Sequence, residues 1–132
     1  MHQSEGGFMA LLYRRLIGAT GFSIQGLKSC FRHEEAFRVE VFLVVVLSPL
    51  GFYIADSAGD LALLFGAMCI VLITELLNSA IEAVVDLASP EKAELAGRAK
   101  DQASAAVMLS MLLFVGVWAV LAWQNFSGVA GK

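Results

Sequence analysis

Cysteine and histidine are scarce in this chain: two of each, with no CxxC and no His cluster. That excludes a disulfide framework and the usual thiolate or imidazole metal sites, so Cys30 and Cys69 read as free thiols. Also absent are a GxxxxGK[ST] loop, a glycine-rich loop ahead of a strand, and HRD or DFG elements. A nucleotide site, if there is one, must be of another design. There is no excess of positive charge, the formal net charge being -3, which argues against nucleic acid as a partner. Internal repeats and low-complexity segments are missing too. Glu5 comes early, and no apolar core with a small-residue cleavage site follows Arg14 and Arg15. The N-terminal stretch is therefore expected to stay in the mature protein rather than act as a signal peptide.

What the chain has in excess is apolar residues. Its 132 residues make one expected domain, 1–132, and a 58% hydrophobic composition with mean hydropathy +0.75 lies outside the soluble range. The class that fits is an all-α integral membrane protein. Phe8, Leu11, Leu12 and Leu16 recur at helical spacing near Arg14 and Arg15, and Gly21 is expected to end that piece. Ser23 is placed to cap a second piece, in which Ile24, Leu27 and Phe31 run beside Lys28, Arg32 and Glu35. These amphipathic helices, residues 8–35, are predicted to lie on the membrane surface. Glu34 falls on the Leu27 and Cys30 side of the wheel rather than with Glu35, which leaves open whether it is an ordinary surface carboxylate.

Three membrane spans are predicted over residues 36–55, 61–84 and 103–123. The first has a candidate kink at Pro49, and a short turn at Asp56–Asp60 leads to the second. Ser89–Pro90–Glu91 reads as a helix start, and the third span has no charge over its 21 residues. Trp118 and Trp123 near its end match an aromatic belt. Basic residues precede the first span and fill the 86–102 loop, whereas the turn at 56–60 has two acids and no base. By the positive-inside rule the N-terminus and the 86–102 loop are cytoplasmic.

The second span carries the chemistry. Glu75, Asn78, Glu82 and Asp86 fall within an arc of roughly 80° on one helix face. Ionisable groups inside a bilayer cost on the order of 2.5 to 3.5 kcal/mol each at its centre, so the stripe reads as a site. At about 1.5 Å per residue from Asp60, Glu75 lies roughly 22 Å into a hydrocarbon core of about 30 Å, and Glu82 roughly 10 Å further along. Glu34, Glu82, Lys100 and Asp101 then form one cytoplasmic layer with Glu75 just beneath it. Carboxylates in that layer suit Mg²⁺, which takes one or two protein carboxylates plus substrate phosphates. Lys100, Arg98 and Arg15 can balance phosphate charge, and Glu75 can act as a general base toward a lipid hydroxyl. That combination describes phosphoryl transfer from a nucleotide to a membrane alcohol. Two other readings stay open: Glu75 as a helix-pairing group, and a small proton-coupled transporter.

Four ordered motifs carry a resemblance: Gly21-Phe-Ser-Ile-Gln-Gly26-Leu, Glu34-Glu-Ala-Phe-Arg38-Val-Glu40, Glu75-Leu-Leu-Asn78-Ser-Ala-Ile-Glu82-Ala-Val-Val-Asp86, and Gly97-Arg-Ala-Lys100-Asp101 with Ser104-Ala-Ala. Together they resemble the prokaryotic diacylglycerol kinase family. The resemblance implies a homotrimer in the bacterial inner membrane with sites shared between protomers, ATP with Mg²⁺ as donor and diacylglycerol as acceptor. It implies Glu75 as catalytic base, Asn78 as an orienting catalytic residue, and Glu34 and Glu82 as metal ligands. Arg15, Phe22, Glu34, Glu82, Lys100 and Asp101 are implied around the nucleotide. Arg15, Ser23, Arg38, Glu40, Glu75 and Ser104 are implied around the lipid. Phe22 departs from a common tyrosine, and Lys92-Ala93 from a Tyr-His pair beside the nucleotide. The related undecaprenol kinases share the Asn78 to Glu82 segment and the second loop, but the Glu34–Arg38 segment is more similar to the diacylglycerol enzymes.

Overall fold

The computed structural model of the chain describes residues 4–88 and 93–128. Four helices follow in order: α1 (Ser4–His33), α2 (Glu35–Ile54), α3 (Ala58–Ala88) and α4 (Glu94–Ser127). No strand occurs among the described residues. Helices α2, α3 and α4 are each long and apolar enough to cross a membrane. The protein is an all-α membrane protein. Two compact units divide it, Met1–His33 and Glu34–Lys132.

The first unit is α1, and it differs from the expected pair of helices. No break occurs at Gly21, and Ser23 caps nothing: its Oγ donates to the Ala19 carbonyl one turn back, at 3.0 Å. A mid-helix glycine costs about 1 kcal/mol relative to alanine, whereas ending the helix there would strand several backbone donors and acceptors. Continuity wins. Met9, Tyr13, Ile17, Ile24, Leu27 and Phe31 are all exposed, and along one unbroken helix they share an arc of about 80°. The side chains of Phe8, Leu11, Leu12 and Leu16 lie outside the described residues. The last turn is basic, with Arg32 and His33 where the helix dipole favours positive charge. His33 Nδ1 donates to the Ser29 carbonyl at 2.8 Å.

The second unit begins at Glu34, whose extended backbone (φ -102°, ψ 119°) marks the start of α2. Phe37, Glu40, Gly51 and Ile54 are buried, with Val44 and Leu47 partly so. Their three-four spacing is the seam of a helix packed on neighbours. Pro49 sits inside α2 without ending it, and Ser48 Oγ donates to the Val44 carbonyl next to the missing proline donor. In the turn, Asp60 N–H donates to Ser57 Oγ at 3.1 Å and Asp56 N–H to Asp60 Oδ2 at 3.2 Å. That cap starts α3 at Ala58, three residues before the predicted span. The predicted start at Ser89–Pro90–Glu91 lies outside the described residues, and α4 begins at Glu94 behind an extended Ala93 that makes no side-chain cap.

Helix α3 packs most extensively on α4 and less on α2. Near the Asp56–Asp60 turn the three helices meet through Ile54, Leu64, Met68, Trp118 and Leu121. Trp118 was expected in an aromatic belt, but it is a core residue with 8% of its surface exposed. Its Nε1–H donates to the Leu64 carbonyl at 3.4 Å, which gives the indole a partner in an apolar interior. Gly51 makes room for that ring, since a Cβ there would meet Trp118 at 3.3 Å. Trp123 is exposed, as a belt residue would be.

Candidate active site

The polar stripe of α3 runs toward the other end of this bundle. Glu75 is 5% exposed although it is ionisable, and it lies within Coulombic range of both Glu34 and Glu82. Glu40, equally buried on the α2 seam, lies within Coulombic range of Glu75 in turn. Four carboxylates from α3, α2 and the residue before α2 are thus electrostatically linked. Helical periodicity accounts for three of them: Glu75 and Glu82 are seven apart on α3, and Glu40 follows Phe37 by three on the seam.

Glu34, Glu82 and Lys100 are each braced by a neighbour. Ser79 Oγ donates to Glu34 Oε1 at 3.0 Å, and Asn78 Nδ2 donates to Glu82 Oε1 at 3.2 Å. Lys100 Nζ donates to Asp86 Oδ1 at 2.6 Å, joining the start of α4 to the end of α3. That hydrogen bond, with the charges of Asp86 and Glu82 nearby, holds the Lys100 ammonium above the ordinary lysine value. Asp101 and Ser104 are exposed on α4, and Arg38 is exposed on α2. Arg15, Phe22 and Ser23 are exposed on α1. Lys92 lies outside the described residues.

Between Glu40 and the apolar cluster is a cavity of about 230 Å³, bordered by Glu40 and otherwise by apolar side chains including Leu47, Met68, Val71, Met111 and Phe114. Neither carboxylate oxygen of Glu40 has a hydrogen-bond partner. A buried carboxyl group in that state is costly unless a ligand supplies a donor. The Oδ1 of Asn78 is likewise buried without a partner.

Two features of the site escaped the sequence reading. Ser79, four residues after Glu75, belongs to the same stripe, and that spacing was the available signal. A second is the hydroxyl pair Thr74 and Ser110, 2.8 Å apart between α3 and α4 and one residue from Glu75. Nothing within one helix points to it, because it depends on the register between two helices.

Among the described residues no group of three or more His, Cys, Asp or Glu side chains is arranged to hold a metal alone. Glu34 and Glu82 still fit Mg²⁺, a hard cation that uses one or two protein carboxylates and completes its shell with phosphate and water. Each is fixed through one oxygen, by Ser79 and Asn78 respectively.

Comparison with known proteins decides the family. The model of the prokaryotic diacylglycerol kinase family matches residues 21–122. The chain belongs to this family. It is 46% identical over 103 residues to the diacylglycerol kinase of Haemophilus influenzae, covering 78% of this chain and 87% of that one. The Escherichia coli K12 diacylglycerol kinase is 40% identical over 114 residues (86% and 93% covered), and that of Pseudomonas aeruginosa 44% over 108 (82% and 88%). The match to the family model takes in α2, α3 and every carboxylate of the site, while Arg15 lies outside it.

Proposed function

We propose that this lipid kinase transfers the γ-phosphate of ATP to the hydroxyl of diacylglycerol, giving phosphatidic acid, at the cytoplasmic face of the bacterial inner membrane. Membership of the diacylglycerol kinase family carries the reaction class and sets aside the transporter reading. The observation that carries the residue roles is the placement of Glu75: a buried carboxylate linked to Glu34 and Glu82 on one side and to Glu40, at an apolar cavity, on the other. The first pair suits a polyphosphate with its cation. The cavity suits acyl chains. A proton acceptor between them is where an alcohol anchored in the membrane would meet a nucleotide from the cytosol.

In this reading Glu75 takes the proton from the lipid hydroxyl as it attacks. Glu40, with two unpartnered oxygens, borders the cavity that takes the lipid, and Ser104 and Arg38 donate to ester oxygens of the glycerol headgroup, whose single hydroxyl is the one that attacks. Asn78 orients the reacting groups through its unpartnered Oδ1. Glu34 and Glu82 would hold Mg²⁺, which when bound offsets charge on the β- and γ-phosphates. Lys100 and Asp101 serve the nucleotide. Arg15, Phe22 and Ser23 keep the roles the family resemblance implies, Arg15 and Phe22 toward the nucleotide and Arg15 and Ser23 toward the lipid. Arg38, Arg98 and Lys100 then face the cytosol with the N-terminus and the 86–102 loop, and Asp56 and Asp60 face outward. Three spans offer little concave surface for two substrates, which favours a homotrimer with sites shared between protomers.

The test is transfer from γ-labelled ATP in vesicles containing diacylglycerol, undecaprenol or neither. Label in phosphatidic acid, with little in undecaprenyl phosphate, is the expected outcome. Preferential labelling of undecaprenol would reassign the acceptor, and ATP consumption independent of either alcohol would sink the reading.

A further inference from the structure

Serines inside the helices of this protein mostly turn back on their own backbone. Ser23, Ser48 and Ser110 donate to carbonyls three or four residues earlier, the default for a hydroxyl on a helix. Ser79 does otherwise. Its Oγ donates to Glu34 Oε1, 45 residues away in sequence.

Glu34 is a residue that needs such a tie. It stands in extended backbone between two helices, and its side chain makes no cap hydrogen bond to α2. The start of α2 thus gives its carboxylate no anchor. Ser79 supplies one from α3, at a position one turn after Glu75 and three residues before Glu82. The bond thus brings Glu34 to the face that carries those two groups. A hydroxyl donating to a carboxylate is a charge-assisted bond, stronger than the neutral one it replaces.

We infer that Ser79 is a positioning residue for Glu34, holding one carboxylate oxygen so that the group is set to ligate the metal of the metal–nucleotide substrate. The inference rests on the reading of Glu34 as a metal ligand given above. Partners that orient metal-ligating carboxylates typically contribute about 10- to 100-fold to metal affinity. A Ser79→Ala variant should lose that factor in metal affinity, read as a higher metal requirement.

The experiment is Mn²⁺ binding followed by electron paramagnetic resonance, on full-length protein in vesicles with a non-hydrolysable ATP analogue. Wild type, Ser79→Ala, Ser79→Thr and Glu34→Gln are compared, with thermal stability measured on the same samples. Weaker Mn²⁺ binding in Ser79→Ala and in Glu34→Gln, with near wild-type binding in Ser79→Thr, supports the inference. If Glu34→Gln weakens binding and Ser79→Ala does not, the inference falls and the metal reading stands. Lower stability of Ser79→Ala at unchanged Mn²⁺ affinity makes Ser79 a clasp between α2 and α3, and overturns it. If Glu34→Gln leaves binding intact, the metal reading of Glu34 fails first. Should Ser79→Ala not fold, Ser79→Cys, close in volume but a poor donor, is read the same way.

Discussion

The two ends of the α2–α4 bundle bury opposite kinds of side chain. Near the Asp56–Asp60 turn the contact is dry: Ile54, Leu64, Met68, Trp118 and Leu121 interlock, and the indole N–H finds a helix carbonyl. Toward Glu34 the same three helices enclose Glu40 and Glu75 and leave a cavity beside them. In lipid, helices gain little from apolar burial as such, because acyl chains are equally apolar, and packing must hold them. One end supplies that packing. The other gives it up to carboxylates and empty space, an arrangement that makes sense only if ligands occupy it.

The largest effect should come from the acidic end. Glu75→Gln keeps the size and hydrogen-bonding capacity of the side chain and removes its ability to accept a proton. As the general base it should lower kcat by about 10² to 10⁴-fold, with metal–nucleotide affinity little changed and bundle stability equal or higher. A variant that keeps more than about a tenth of wild-type kcat would refute the catalytic role.

Much of this end was legible from the sequence because an apolar helix makes polar residues conspicuous, and 3.6 residues per turn place Glu75, Asn78 and Glu82 together. The residues that were misread belong to patterns with two solutions. A tryptophan near the end of a span satisfies a belt and a core equally well, and only the neighbours of Trp118, Gly51 and Phe114 among them, decide for the core. Gly21 permits a break but does not require one. Ser79 and Ser110 look alike in sequence, yet one bonds across to Glu34 and the other sits against Thr74. Their partners are 45 and 36 residues away, and single-helix periodicity carries no information on register between helices.

Breaking the dry end should do the reverse of Glu75→Gln. Leu64 is fully buried, and Leu64→Ala leaves a cavity among Met68, Trp118 and Leu121. Core truncations of this kind cost about 2 to 5 kcal/mol, and the low end applies here because lipid already solvates the side chain in the separated state. Denaturation in mixed micelles should show that loss while kcat, measured where the variant is folded, stays within about twofold of wild type, less than 1 kcal/mol of barrier. A large fall in kcat without a loss of stability would mean that the two ends are not separable.

The smallest effect is expected at the border between them, where Thr74 and Ser110 meet at 2.8 Å. One of the two hydroxyls donates across the contact, and each has on its own helix an acceptor for its single proton: Thr74 the carbonyls of Ile70 and Val71 at 3.0 and 2.9 Å, and Ser110 that of Val107 at 2.7 Å. Removing one hydroxyl therefore leaves the other satisfied, so Thr74→Val and Ser110→Ala avoid the usual cost of an orphaned buried group. A double-mutant cycle on stability should give a coupling of about 0.6 kcal/mol, and no more than about 1.7, the range measured for hydrogen bonds between membrane helices. Catalysis should barely change if Glu75 is aimed by helix packing. Coupling well above that range, with kcat falling in step, would show that a polar contact sets the rotation of α3. The acidic end would then hold the fold as well as perform the chemistry, and the division between the two ends would fail.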